Sequence, residues 1–155
     1  MNIEIEHKYL VKDSSFKGMV TESHTISQGY LSREKSKTIR IRTIDSKGFI
    51  TIKTKTMIDS RKEFEYEIPF SDAAELLNIC EPPVIKKIRH IVPFEGFIWE
   101  IDEFLDDLQG ITLAEIELPD SNTKYVIPDF IGENVTNNPN YYNSNIHTLT
   151  NKLNK

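Results

Sequence analysis

Glu4-Ile5-Glu6-His7-Lys8 sets two carboxylates and an ammonium at alternate positions near the start of the chain. Side chains alternate between the two faces of a strand, so Glu4, Glu6 and Lys8 share one face and Ile3 and Ile5 the other. The beat returns in Arg40-Ile41-Arg42, Glu63-Phe64-Glu65, Lys87-Ile88-Arg89, Glu100-Ile101-Asp102 and Glu115-Ile116-Glu117. Like charges side by side repel unless opposite charge lies over them. Taken singly, each doublet reads as the solvated face of a surface strand. Taken together, the doublets are segregated by sign. Lys8, Arg40, Arg42, Lys53, Lys87 and Arg89 are cationic; Glu4, Glu6, Glu63, Glu65, Glu100, Asp102, Glu115 and Glu117 are anionic. Arginine pairs suit bidentate contact with phosphate, and lysine adds a point charge. Carboxylate pairs suit a hard divalent cation, Mg²⁺ or Mn²⁺. Both kinds on one concave surface would hold a metal–polyphosphate complex.

Strands must position these groups. The alternation predicts strands over 3–11, 24–32, 37–44, 49–56, 63–70, 84–93, 96–104 and 111–118. Ser46-Lys47-Gly48 is expected to turn one hairpin and Glu95-Gly96 another, and Gly29 to mark a bulge or a close backbone approach. Residues 13–24 read as a loop or short helix and 57–62 as a polar connection. A short helix is expected over Ala73–Ile79, capped by Ser71-Asp72, with Ala74, Leu76 and Leu77 as its apolar side and Glu81-Pro82-Pro83 as its stop. Tyr141 to Leu153 can form a final helix.

The connections are short, so the strands are expected to be antiparallel, and eight suit a closed barrel with a small interior. The expected fold is mainly β (α+β): an eight-stranded antiparallel closed barrel or tunnel with a charged interior and a few helices packed outside, in one domain over 1–155. The charged set either faces out around an ordinary core or lines a wet tunnel while the apolar set packs outward.

A formal net charge of −5 over 155 residues argues against a general nucleic-acid binder. A single cysteine excludes an intrachain disulfide, and Cys80, following Leu76, Leu77 and Ile79, reads as a small core residue. His7, His24, His90 and His147 share no zinc-ligand spacing. There is no basic-plus-apolar leader and no run approaching the ~20 apolar residues that span a bilayer. A cytoplasmic protein without nucleic-acid or membrane partners is expected, with a homodimer left open. Glycine-rich phosphate loops and nucleophile elbows are missing from the sequence.

The chain resembles the triphosphate tunnel metalloenzymes, or CYTH superfamily. Their hallmark Glu-x-Glu-x-Lys stands as Glu4-Ile5-Glu6-His7-Lys8. The likeness continues through Gln28-Gly29-Tyr30-Leu31, Arg40-Ile41-Arg42, Ile52-Lys53, Arg61-Lys62-Glu63-Phe64-Glu65, Lys87-Ile88-Arg89, Glu100-Ile101-Asp102, Glu115-Ile116-Glu117, Gly132-Glu133-Asn134-Val135-Thr136 and Tyr142-Asn143. The resemblance implies an eight-stranded tunnel that binds a triphosphate with Mg²⁺ or Mn²⁺ and hydrolyses its terminal phosphoanhydride. It implies a metal-binding set of Glu4, Glu6, Glu115 and Glu117. The triphosphate cradle would be Lys8, Arg40, Arg42, Lys53, Lys87 and Arg89, with Tyr30 as a further lining residue. Glu63, Glu65, Glu100 and Asp102 would form a catalytic wall that orients water, holds a second metal or holds the bases. Many bacterial members carry a lysine on a helix after Tyr-Asn; here Ser144-Asn145-Ile146 follows, so Lys152 and Lys155 read as solvated.

A bacterial inorganic triphosphatase, acting on tripolyphosphate with nucleoside triphosphates as a further option, fits the compact length. A class IV adenylyl cyclase would need adenine recognition, for which no feature stands out. A thiamine triphosphatase would want an aromatic platform, which Trp99 and Tyr30 do not decide. A non-catalytic polyphosphate-binding or nucleotide-binding module would not need so many carboxylates.

Overall fold

The computed structural model describes residues 3–55 and 60–149. Nine strands and one α-helix run in the order β1 (Ile3–Val11), β2 (Glu22–Glu34), β3 (Lys37–Ile44), β4 (Lys47–Lys55), β5 (Ser60–Ile68), α1 (Phe70–Ile79), β6 (Glu81–Phe94), β7 (Phe97–Phe104), β8 (Thr112–Glu117) and β9 (Ile131–Asn134). All pairings are antiparallel, in the order β5-β4-β3-β2-β6-β7-β8-β1. β1 closes the barrel. It pairs with β8 from Glu6 to Leu10 and with β5 from Ile3 to Ile5. β9 adds to β1 farther along, at Tyr9 and Val11. The eight-stranded closed barrel expected from the alternation is therefore present.

Register turns the charged residues inward in adjoining rows. Thr51 lies opposite Arg40 and Glu65, Lys53 opposite Glu63, Arg89 opposite Asp102, and Lys8 opposite Glu115. The apolar alternates point outward, where Tyr9, Val92, Trp99, Ile101, Ala114 and Ile116 pack with Phe16 and Phe130 into the main core. Short 3₁₀ turns and connecting segments cover most of this outer core. Phe16 comes from the turn Ser15–Met19, while Tyr125 and Phe130 come from the stretch between β8 and β9. The one helix covers a smaller patch over β2–β4, where Ala73 and Cys80 pack with Ile41. Cys80 is buried there, as expected.

Toward one end the interior changes polarity. Inward positions run from Lys87 to Ile85, from Asp102 to Phe104 and from Glu115 to Leu113. Ile85, Phe104 and Leu113 form an apolar cluster with Leu108, Ile146 and Leu149. The C-terminal segment thus contributes side chains to an apolar cluster at one end of the barrel.

Several boundaries differ from the expectations. The first hairpin turns on Asp45-Ser46, where Asp45 has φ 52° and its carboxylate accepts from the Thr25 amide at 3.0 Å. Aspartate tolerates this left-handed conformation, so no glycine is required and Gly48 stays in β4. The helix begins at Phe70 after Pro69, with no side-chain cap. Proline's fixed φ suits a helix start. Its apolar side is Ala73, Leu76 and Leu77, while Ala74 is exposed. β6 begins at Glu81 and runs through both prolines. β9 was hidden because four residues carry too little alternation to read. Tyr141–Leu149 forms no α-helix, only 3₁₀ turns at Pro139–Tyr141 and Ile146–Leu149. Lys152 and Lys155 lie outside the described residues, as does part of the 57–62 connection. Among the described residues no helix is long and apolar enough to cross a membrane.

Gly29 and Gly48 mark where the helix approaches the sheet. A Cβ at Gly29 would lie 2.9 Å from the Cys80 Cβ; at Gly48 it would lie 2.6 Å from the Ala73 Cβ and 3.2 Å from the Ile68 carbonyl oxygen. Gly48→Ala is therefore expected to lower the unfolding free energy by about 1–3 kcal/mol through overpacking. Urea denaturation would show this as a lower midpoint at unchanged slope.

Candidate active site

The charged interior encloses a cavity of about 200 Å³ lined by Glu4, Glu6, Arg40, Arg42, Lys53, Glu63, Glu65, Arg89, Glu100, Glu115, Glu117 and Asn143. Each of these is polar, and all but Asn143 are charged. Seven carboxylates face four cations, an excess of three negative charges when all are ionised. Strand order sorts them. β7, β8, β1 and β5 are consecutive around the barrel and carry the acids; β4, β3 and β6, interrupted by β2, carry the bases. The cavity therefore has an acidic arc and a basic arc.

Ion pairs join the arcs where they meet. Lys53 Nζ lies 2.9 Å from Glu4 Oε1 and 3.3 Å from Glu63 Oε2. Arg42 donates to Glu65 Oε1 at 3.0 Å, Thr51 donates to the same oxygen at 2.8 Å, and Arg40 Nη2 stands 3.7 Å from it. Arg89 donates to both Asp102 oxygens at 2.8 and 2.9 Å and to Glu100 at 3.3 Å. Glu117 is exposed and, with the partly open Glu65 and Glu100, marks the mouth.

The acidic arc is under electrostatic strain. Burial, then the neighbouring Glu115 and Glu4 carboxylates, push the Glu6 carboxyl well above the usual range. Burial acts the same way on Glu115, but Lys8, the Glu6 hydrogen bond and Arg89 outweigh it and hold that carboxyl well below the usual range. Burial with Glu4, Glu63 and Glu100 raises Glu117. In the basic arc, burial followed by repulsion from Arg40 and Arg89 lowers the Arg42 guanidinium to about 10. Charge crowding of this kind marks sites that bind ions.

Four of the sequence-derived site residues lie outside the cavity wall. Lys87 and Asp102 form the layer beneath it, with the Lys87 ammonium 2.7 Å from Asp102 Oδ2 and both side chains buried. Burial, despite Asp102, lowers Lys87 to about 8; burial would raise Asp102, but Arg89 and Lys87 together hold it at about 2. Tyr30 is buried with the Arg33 guanidinium 5.5 Å over its ring, a packing position. Lys8 faces a small side pocket of about 20 Å³ shared with Glu4, Glu6, Arg61, Thr136, Tyr142 and Asn143. Its ammonium donates to the Tyr141 carbonyl at 2.9 Å and lies 3.8 Å from Glu115.

Sequence reasoning gave no role to Thr51, Arg61 or Asn143, although Arg61 and Asn143 stand in the stretches that carry the family resemblance. Thr51 sits two residues before Lys53, so strict alternation alone would have found it. Arg61 precedes Glu63 by the same interval. Asn143 enters from an irregular segment, and no periodicity points to it.

A divalent cation fits the acidic arc by the chemistry of its donors. Oxygen ligands crowd there, and the raised Glu6 and Glu117 carboxyls are what a bound cation would relieve. Among the described residues no group of three or more His, Cys, Asp or Glu side chains stands ready as a closed coordination sphere.

A closed antiparallel barrel with opposed acidic and basic arcs is the architecture of a tunnel for a metal-bound polyanion. The chain belongs to the CYTH family, whose domain matches residues 2–147. It is 45% identical over 147 residues to an inorganic triphosphatase of Acetivibrio thermocellus, covering 94% of each chain. Among solved structures it resembles a crystallised inorganic triphosphatase with a TM-score of 0.68 and 26% identity, over 92% of this chain and 93% of that one. A protein from Pyrococcus horikoshii aligns with a TM-score of 0.61 at 23% identity, over 77% of this chain and 80% of the other, which shows a shared fold.

Two substitutions test the electrostatics. The folded pKa of Glu6 lies above its unfolded value, so folding binds a proton and stability falls as pH rises from the ordinary carboxylate range through the raised value. In chelator, Glu6→Gln is expected to be more stable than wild type at neutral pH. The difference should vanish below pH ~4, where both folded and unfolded states are protonated; denaturant titrations across pH measure it. Asp102→Asn takes the buried counter-charge from Lys87 and the two-pronged partner from Arg89, which keeps Glu100, and is expected to lower the unfolding free energy by about 3–5 kcal/mol.

Proposed function

We propose that this protein is a divalent-metal-dependent triphosphatase that cleaves the terminal phosphoanhydride of inorganic tripolyphosphate. The observation that carries this reading is the cavity wall itself, in which four cations face seven carboxylates. A triphosphate alone would meet repulsion from that excess of acid, whereas a triphosphate carrying a cation matches both arcs. The 45% identical inorganic triphosphatase supports the same activity.

Arg40, Arg42, Lys53 and Arg89 line the basic arc and hold phosphate oxygens, the arginines in bidentate fashion. Glu4, Glu6, Glu115 and Glu117 hold the cation. Mg²⁺ or Mn²⁺, when bound, supplies Lewis acidity toward phosphate oxygens and water. Glu63 holds Lys53, and Glu65 with Thr51 holds Arg42, so the cradle is set before substrate arrives. Asp102 is a positioning residue that fixes Arg89 and keeps Lys87 charged beneath the cavity. Glu100 lies at the mouth with its carboxyl raised, first by burial, where it can orient water and receive its proton. Phosphoryl transfer depends on such positioning and charge neutralisation more than on covalent chemistry.

The test is phosphate release from tripolyphosphate, ATP and thiamine triphosphate with Mg²⁺ or Mn²⁺, beside an assay for cyclic AMP. Metal-dependent release, highest with tripolyphosphate, is expected. Arg42→Ala should lower kcat/KM by about a hundredfold or more. Glu4→Gln combined with Glu6→Gln should abolish metal-dependent release while leaving the fold intact by circular dichroism. No turnover of any substrate would refute the enzyme, and cyclic AMP without phosphate release would move the reaction to cyclisation.

A further inference from the structure

Among the described residues that line the cavity, Asn143, on the C-terminal segment, is the one without an ionisable side chain. After the turn Pro139–Tyr141 the chain reaches the cavity lining at Asn143, with the Lys8 ammonium donating to the Tyr141 carbonyl at 2.9 Å. The Tyr142 ring is held between two cations, with the Arg61 guanidinium 5.1 Å and the Lys55 ammonium 5.9 Å from its centroid. Cation–π contacts of this kind orient the ring. Asn143 follows, with Oδ1 fully buried and without a hydrogen-bond partner.

A buried acceptor left without a donor is costly, and each such group in a folded protein calls for an explanation. The surroundings of Asn143 narrow the choice. Together with Glu4 and Glu6 it lines both the main cavity and the side pocket, so these three residues form the partition between the two. The side pocket, about 20 Å³, has room for one water. Of the charged donors lining the side pocket, the Lys8 ammonium bonds the Tyr141 carbonyl and the Arg61 guanidinium lies over the Tyr142 ring. Glu4 and Glu6 supply further acceptors. An amide oxygen among carboxylates is a hard, neutral ligand of the kind that divalent cations take alongside Asp and Glu.

We propose that Asn143 Oδ1 supplies a neutral oxygen to the coordination sphere of the cation held by Glu4 and Glu6, with Tyr142 as the clasp that sets its position. This inference rests on the metal-dependent reading above and extends it to a residue on the C-terminal segment. The neutral ligand completes the sphere without adding to the excess of negative charge in the wall.

Calorimetric titration of Mn²⁺ into chelator-stripped protein, without substrate, tests it, with free Mn²⁺ followed by electron paramagnetic resonance. Asn143→Leu should raise the Mn²⁺ dissociation constant by about tenfold or more. Asn143→Asp, which keeps the oxygen, should bind at least as tightly as wild type. Thermal unfolding of the metal-free variants reports on the fold, and if the leucine variant does not fold, Asn143→Ala carries the comparison by removing the oxygen. Wild-type affinity in the leucine or alanine variant would overturn the proposal, even if KM for tripolyphosphate rose, because that result would put the amide on phosphate. An aspartate variant as weak as leucine would overturn it too. Failure of the wild type itself to bind Mn²⁺ would sink the metal-dependent reading, whereas wild-type binding with an unaffected leucine variant would remove only the role of Asn143.

Discussion

The Lys87 ammonium has no contact with water and stands 2.7 Å from an Asp102 carboxylate that is equally buried. Removing either charge from water is expensive, and only a close partner of opposite sign with further hydrogen bonds offsets the loss. Asp102 meets that requirement by taking Lys87 on one side and both forks of Arg89 on the other. The architecture above follows from the same constraint. A basic strand can bury its charges only beside an acidic one, and the pairing of β6 with β7 puts Arg89 opposite Asp102. Closing β1 onto β5 does the same for Glu4 and Lys53, which come from strands that are not neighbours.

The compensation is incomplete by design of the strand order. Four consecutive strands bring acids together, and the register sets Glu6 opposite Glu117 and Glu100 opposite Glu115. These like-charge pairs leave the wall negative, while burial and the nearby Glu115 and Glu4 carboxylates raise Glu6. A sheet whose only task was folding would gain by separating them. The excess charge is therefore the feature that separates a binding cavity from a core that merely tolerates ions, and it points to a cationic guest on one arc and an anionic guest on the other.

The apolar end of the barrel has a different origin. Inward alternates switch from charged to apolar at Ile85, Phe104 and Leu113, and Ile146 and Leu149 complete that cluster. Burial of these side chains holds the C-terminal segment in the barrel. It also carries Tyr142 and Asn143 to the partition between the cavity and the side pocket. Lys8 is consequently engaged with a backbone carbonyl rather than lying free in the cavity wall.

Much of this was written in the alternation. Residues two apart share a strand face whatever the rest of the chain does, so the eight barrel strands, their inward charges and their outward Ile, Phe and Trp99 could be read from local pattern. The turn at Asp45, the helix start at Pro69 and the short β9 could not, because they depend on backbone conformations that several residue types satisfy. The sequence by itself determined which charges face one side and that their signs are segregated by strand. Only the tertiary structure decided that the acidic strands are consecutive around the barrel, that Lys87, Asp102 and Tyr30 lie outside the cavity wall, and that Asn143 enters that wall. Those facts depend on strand order, closure and depth, which are set by long-range packing and by the cost of leaving a buried charge unpaired.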